Sequence, residues 1–545
     1  MEPRSPTFAP FANPAFRRLW LASQTSNLGG LIQTVGAGWL MTSLSSSADM
    51  VALVQASNTL PIMVLSLVAG ALADSFERRT ILIAAQAFML AVSIGLALCA
   101  WAGLLTPWGL LGFTFAIGAG VALYNPSWQA SMGDIVARED LSAAVSLNSM
   151  GFNLMRSVGP ALGGILVAIA GAAAAFAVNA ASYIPNIWAL WMWRPERAPN
   201  RLPREALPQA LGAGLRYVSM SPNLMRVMGR AAVFGFAASS AMALMPIVAR
   251  DLLGGSALTF GLCLGFFGFG AIGGVMANAR LRARFRNEYI VTGAFLGFAF
   301  GAAGLGLSHA LWMAAPFLLV GGACWVLALS LFNVTVQLST PRWVVGRAVS
   351  FYQTATFGGM AAGSWIWGVF ADSHGVSPAL FAAAALLVTG AVVGRWLPLA
   401  EFGNLDLAPA GRFREPELAL DIRARSGPIM VMVDYVIAAE DTDAFLAEMT
   451  LRRRVRIRDG ARQWGLLRDL ETPDIWTETY HVPTWTDYVR HNERRTKADL
   501  ENFERLLALH RGPGRPRVHR MIERQTVPLH DDMAPKPASP TELQQ

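Results

Sequence analysis

Two short stretches of this 545-residue chain carry side chains able to do more than pack. The first is Gly70-Ala71-Leu72-Ala73-Asp74-Ser75-Phe76-Glu77-Arg78-Arg79, a charged hairpin between runs with no Asp, Glu, Lys or Arg from Val51 to Ala73 and again from Thr80 to Gly133. A carboxylate placed there can accept from free N–H groups at a helix end, and the arginines can grip carbonyls or carboxylates. That chemistry makes a latch, so Gly70, Asp74, Arg78 and Arg79 are expected to gate a movement. The second is Gly159-Pro160-Ala161-Leu162-Gly163-Gly164. Gly159, Gly163 and Gly164 allow close helix approach, while Pro160 removes one helix hydrogen bond and bends the run.

Arg156 precedes this stretch, about fifteen residues into its apolar run, roughly 22 Å along a helix. A cation at that depth costs at least about 2.5 to 3.5 kcal/mol, so it normally faces a wet cavity or a partner, the alternative being that it snorkels or pairs with helix carbonyls in a structural role. It is expected to attract an anionic or catechol-like group. Gln33, Asn58, Asn125, Asn148, Asn153, Asn333, Gln337, Tyr352 and Gln353 are the other polar side chains on apolar runs, and the family resemblance given below implies that their spans line such a cavity. No Asp or Glu stands in the middle of a run, so a midmembrane carboxylate for proton coupling is not visible.

The elements positioning these groups must be membrane helices. The chain is 54% hydrophobic and 15% charged with mean hydropathy +0.40, which excludes an ordinary soluble protein. About 20 apolar residues cross a bilayer, where unsatisfied backbone forces a helix. Runs near 19–44, 50–73, 81–104, 108–132, 141–170, 174–193, 224–249, 257–279, 289–308, 311–338, 346–371 and 378–396 predict twelve spans. Arginines gather in alternate loops, at Arg78 and Arg79, Arg138, Arg194 to Arg216, Arg280 to Arg286, and Arg342 with Arg347. Both termini are therefore expected in the cytoplasm, in the inner membrane. The net charge of +8 sits in these loops and pairs with lipid headgroups, not nucleic acid. Cys99, Cys263 and Cys324 have no metal-ligand spacing, and neither a metal, a cofactor nor a disulfide is expected. No cleavable signal peptide and no nucleotide-binding Gly-x-x-x-x-Gly-Lys-(Ser/Thr) motif is read.

One ungapped shift of 204 (274 − 70) carries Gly70 to Gly274, Arg78 to Arg282, Trp108 to Trp312, Gly118 to Gly322, Gly159 to Gly363, Gly164 to Gly368 and Gly171 to Gly375. The repeat implies two six-helix halves about a shared midplane cavity. Asp74 maps to Asn278, so gating is expected to lean on the first half. The expected division is a lead at 1–16, a first half at 17–194, a linker at 195–223, a second half at 224–397, a linker at 398–426, a domain at 427–525 and a disordered tail at 526–545. The domain reads β-α-β-β-α-β, an α+β ferredoxin-like sandwich. Its aromatics and histidines show no ligand spacing, so a regulatory or dimerising role is expected in place of catalysis.

The hairpin resembles the signature between the second and third helices of the major facilitator superfamily, matching at Gly70, Leu72, Ala73, Asp74, Arg78 and Arg79 and departing at Ser75 and Glu77. Gly159 to Gly164 is similar to that superfamily's antiporter and exporter motif. Pro126, Asp134, Asn148 to Gly164 and Gly346-Arg347-Ala348 together resemble its transmembrane secretion effector branch, which includes enterobactin-exporter-like proteins, over roughly Phe11 to Pro398. The region beyond Gly427 distantly resembles the antibiotic-biosynthesis-monooxygenase-like fold, whose members pair into dimers. The resemblance implies no enzyme but proton-driven efflux of a small molecule by alternating access. A receptor signalling through the last domain and a membrane-tethered enzyme are the alternatives.

Overall fold

The computed structural model describes residues 8–75, 77–137, 140–194, 207–341, 343–399, 407, 410–411 and 413–523. The expected tail and much of both expected linkers lie outside them. Two compact units result: 1–210, 222–337 and 346–401 form one, and 211–221, 338–345 and 402–545 the other.

The first unit is helical. Its helices are α1 (Pro14–Leu44), α2 (Ala48–Ser75), α3 (Arg78–Trp101), α4 (Pro107–Ile135) and α5 (Leu141–Met192). After α6 (Leu207–Ser219) follow α7 (Pro222–Ile247), α8 (Ala257–Arg284), α9 (Asn287–Gly306), α10 (Leu311–Leu338), α11 (Val345–His374) and α12 (Val376–Gly394). Local chemistry sets the ends. Asn13 accepts from the N–H groups of Ala15 and Phe16 to cap α1, with Pro14 at its first position, and Thr106 caps α4 the same way ahead of Pro107.

Among the described residues nine helices are long and apolar enough to cross a bilayer, against the twelve spans expected. The difference has physical causes. The nine include α5, 52 residues long and interrupted at Gly171, whose φ of 79° is left-handed and ends one helix before the next begins. Two others, α1 and α11, are 31 and 30 residues long but less apolar, their charge-free stretches carrying Ser23, Gln24, Thr25, Ser26, Asn27, Gln33 and Thr34 or Ser350, Gln353, Thr354, Thr356 and Ser364. The shift of 204 holds in the backbone: Gly375, at 171 + 204, is also left-handed at φ 91° and separates α11 from α12.

Side-chain exposure fits lipid. Trp101, Trp108 and Trp312 at one set of helix ends, and Trp188, Trp191 and Trp396 at the other, are all more than 60% exposed. Such paired aromatic belts mark membrane interfaces. Inside, Phe234, Phe267, Phe295, Phe298 and Phe332 are buried around Trp325. This is a multi-pass membrane protein.

In the second unit, β1 (Ile429–Val436), α13 (Thr442–Asp459), β2 (Arg462–Arg468), β3 (Ile475–Val482), α14 (Trp485–Glu493), α15 (Lys497–Leu509) and β4 (Arg517–Ile522) build an antiparallel sheet in the order β2-β3-β1-β4. Burial alternates along β1, placing Ile429, Val431, Val433 and Tyr435 against Phe445 and Met449 of α13. One long helix is expected over 485–510; the structure has two, because Thr496 and Asp499 form a capping box that starts α15 afresh. The expected first linker contains α6. Tyr217 of its last turns meets Trp343 edge to face at 5.7 Å, Arg458 stands over Tyr217 at 5.5 Å, and Arg494 stands over Trp343 at 4.2 Å. The segments just before α7 and α11 thus belong to this unit's core.

Candidate functional site

The gating residues divide by what can be placed. Gly70 and Asp74 lie in the last turns of α2, and the side chain of Asp74 is outside the described residues. The neighbouring arginines are engaged. Arg78 Nη1 meets Asp134 Oδ2 at 2.9 Å, binding the start of α3 to the end of α4. Arg79 Nε donates to the Leu190 carbonyl at 3.0 Å and Nη2 to that of Trp191 at 2.6 Å, holding the end of α5. Their counterpart region is uncharged at Asn278, whose Nδ2 donates to Ser330 Oγ at 3.1 Å.

The glycines pack helix on helix. A Cβ on Gly159 would lie 2.9 Å from Leu31 Cβ, and one on Gly163 would lie 3.0 Å from Ile32 Cα, so both face α1. Gly164 faces α8 instead, where a Cβ would lie 2.8 Å from the Ala257 carbonyl oxygen. Gly261 returns the contact, a Cβ there falling 2.5 Å from the Pro160 carbonyl oxygen. This crossing joins the two halves at backbone distance. Gly368, the counterpart of Gly164, does the same for α11 and α2, a Cβ there lying 2.8 Å from Asp49 Cα.

Arg156 stands on α5 just ahead of Gly159 and Pro160, at the seam. Its guanidinium carbon lies 6.0 Å from the Phe267 ring centre and 5.9 Å from that of Trp325, both in the other half. Among the described residues it has no hydrogen-bond or ion-pair partner, and it is half-buried. A cation flanked by two aromatic faces and lacking a counter-charge is suited to a planar anion.

The remaining polar candidates scatter. Gln33 is buried and accepts from Ser93 Oγ and Asn179 Nδ2, a network inside the first half that also takes in Tyr183. Tyr352 is buried and donates to the Leu329 carbonyl at 3.1 Å. Asn148 accepts from Trp128 Nε1 at 3.2 Å, and Gln337 donates to Asn333. Asn58 and Gln353 are half-buried, Asn125 is exposed, and the side chain of Asn153 is outside the described residues. The structure brings Asn333 and Gln337 together and leaves Gln33 and Tyr352 satisfied by their own halves.

Two groups of consequence escape the sequence reading. Asp372, at the end of α11, accepts from Ser47 Oγ at 2.7 Å and from the N–H groups of Ala48 and Asp49, so a carboxylate of the second half caps α2 of the first. Arg250 Nη1 donates to the Thr42 carbonyl at 2.8 Å nearby. Arg230 pairs with Glu288 at 2.6 Å, both largely buried, and Glu288 also accepts from the Leu399 N–H at 3.0 Å. Its signal is legible: an arginine six residues into the apolar run that starts at 224 (230 − 224).

Comparison with known proteins agrees with this architecture. The multidrug efflux pump Tap of Mycobacterium tuberculosis is 24% identical over 74% of this chain and 97% of its own length. The enterobactin exporter EntS of Escherichia coli is 28% identical over 55% of this chain and 72% of its own. A bacterial homologue of the human lysosomal transporter Spinster, solved inward-facing and unoccupied, shares the fold at TM-score 0.55 with 15% identity, covering 70% of this chain and 96% of that one. Residues 5–526 match the family described as transmembrane secretion effector, and the chain therefore belongs to that family of the major facilitator superfamily and is a transporter, not an enzyme.

Proposed function

We propose that the protein exports a small anionic molecule across the cytoplasmic (inner) membrane by alternating access of two six-helix halves, driven by protons, with both termini in the cytoplasm. The observation that carries the substrate class is Arg156, an unpaired guanidinium at the seam between Phe267 and Trp325 of the opposite half. Twelve spans follow if α5 is counted as two across Gly171 and α1 and α11 are added to the apolar nine. Supporting the moving halves, cross-half contacts gather at the end holding Thr42, Ser47, Arg250 and Asp372. At the opposite end Arg78 holds Asp134, and Arg79 holds the Leu190 and Trp191 carbonyls. The export direction follows the enterobactin exporter and the efflux pump among the relatives. Asp74, Gly159, Pro160, Gly163 and Gly164 serve the rocking. Asn58, Asn125, Asn148, Asn153, Asn333, Gln337 and Gln353 are retained as cavity candidates, and the second unit as a ferredoxin-like regulatory or dimerising domain.

The test is Arg156→Ala, assayed for export at matched membrane abundance by comparing extracellular metabolites with those of a deletion strain. Export should fall at least tenfold. Unchanged export would remove Arg156 from the mechanism.

A further inference from the structure

One end of α7, one of α9 and one of α12 are tied together at a single level. Arg230 of α7 pairs with Glu288 of α9 at 2.6 Å, its Nη1 also donates to the Leu397 carbonyl just past α12 at 3.4 Å, and Glu288 accepts from the Leu399 N–H at 3.0 Å. A Cβ on Gly394, the last residue of α12, would lie 2.4 Å from Arg230 Nη2 and 3.0 Å from Glu288 Oε1. Further arginines stand around this knot. Arg226 precedes Arg230 by one turn of α7, about 5.4 Å, Arg286 caps α9 two residues before Glu288, and Arg395 follows Gly394 directly. All three are exposed.

The charge at this corner is one-sided. Across 222–240, 284–292 and 390–399 the only carboxylate is Glu288, which Arg230 already holds. Arg230 is itself incompletely met, since its Nε and Nη2 are buried without a hydrogen-bond partner among the described residues. Neither Arg226 nor Arg395 has a side-chain hydrogen bond or ion pair among them. Beside the arginines, Phe285, Tyr289 and Trp396 are exposed, aromatic residues of the kind that sit at headgroup level. From there exposed apolar residues continue along α9, at Leu296 and Phe300, and along α12, at Val392 and Val388. A guanidinium rim over an apolar wall that faces lipid matches a molecule with an anionic head and hydrocarbon tails, because the planar fork of Arg pairs with phosphate oxygens while the wall covers the chains.

We propose that this corner of the second half binds one anionic phospholipid. Its phosphate pairs with Arg226 and Arg395, with Arg286 adding positive charge beside them, and its acyl chains lie against α9 and α12. The bound lipid reinforces the tie that Arg230 and Glu288 make between three helices, so these arginines do more than orient the chain in the bilayer.

The experiment is native mass spectrometry of the detergent-solubilised full chain titrated with phosphatidylglycerol, and separately with phosphatidylcholine carrying the same acyl chains. The first phosphatidylglycerol should bind at least tenfold tighter than phosphatidylcholine. An arginine near an anionic headgroup contributes about fivefold, so Arg226→Gln with Arg395→Gln should weaken that binding at least tenfold. Removing two exposed arginines of the first half, Arg17→Gln with Arg18→Gln, should leave it unchanged. Arg226 and Arg395 have no side-chain partner to lose among the described residues, and an unchanged unfolding temperature of the double variant in lipid-free detergent verifies its fold. Phosphatidylglycerol should also raise the unfolding temperature of the unaltered chain more than phosphatidylcholine does, a readout that needs no variant, and inorganic phosphate at the same concentration should not displace it. Equal binding or equal stabilisation by the two lipids, equal weakening in the two double variants, or displacement by inorganic phosphate would overturn the proposal.

Discussion

Single side chains in this protein are most informative where they are buried with charge. Burial alone would raise the Glu478 carboxyl, but Arg456, Arg452 and the hydrogen bonds from Arg456 and Trp464 outweigh it and hold it down at about 2, against 4.5 ordinarily. Burial, then Arg456 and Arg495, pushes His491 well below its ordinary 6.5. Both groups bind fewer protons folded than unfolded at acid pH, so what they contribute is complete above about pH 6.5 and is lost as pH falls, while Asp459, whose carboxyl burial pushes up, works in the opposite sense. The loss begins with His491 and steepens between 4.5 and about 2 with Glu478, whose share is about 3 kcal/mol. Acid unfolding followed by near-ultraviolet circular dichroism should show this two-part slope, and Glu478→Gln should remove the steeper part. A flat profile would contradict it. Arg230 and Glu288 give a second case. Glu288→Gln leaves a buried guanidinium unpaired and should destabilise the protein by about 3 to 5 kcal/mol, whereas Arg230→Met with Glu288→Met should recover most of the loss. Thermal unfolding of the singles and the double decides it. Depth in an apolar run made Arg156 legible from sequence, and the same signal was available for Arg230. The partners of Glu478 and Asp372 were not, because they come from residues brought near only by folding.

Whole helices read more clearly than their contacts. Apolar runs place most of the long helices within a few residues, and the shift of 204 even matches two left-handed glycines, Gly171 and Gly375. What periodicity could not supply is which helix a small residue faces: Gly163 packs on α1 while its neighbour Gly164 packs on α8. The α5–α8 crossing is close enough that Gly261→Leu must drive the helices apart, since even a Cβ meets the Pro160 carbonyl oxygen at 2.5 Å. Export should fall at least tenfold while helix content by circular dichroism stays the same; export near normal would show that this crossing is not part of the moving seam. Asp372 acts at the same scale. Its carboxylate offsets the free N–H groups and positive dipole end of α2, worth up to about 2 kcal/mol in a partly buried setting. Asp372→Asn should therefore open that end of the bundle more often, by roughly a factor of ten, read as faster thiol labelling of Ser46→Cys. An unchanged labelling rate would count against the cap as a latch.

At the scale of the molecule, the account holds that the two repeats of the first unit move as bodies, closing one end as the other opens. Most of the long helices were readable from the sequence because hydropathy is local. The second unit's recruitment of 211–221 and 338–345 was not, because it depends on Arg458 and Arg494 finding Tyr217 and Trp343 from far along the chain. The most direct measurement uses a chain with Cys99, Cys263 and Cys324 replaced, spin-labelled in two separate pairs and reconstituted in liposomes. One pair, Ser46→Cys with Ser373→Cys, reports the end held by Asp372; the other, Thr80→Cys with Arg284→Cys, sits at equivalent positions of the two repeats (284 − 80 = 204) at the opposite end. Under an imposed pH gradient the first distance should lengthen as the second shortens. Two distances that stay fixed, or that change in the same sense, would contradict the account.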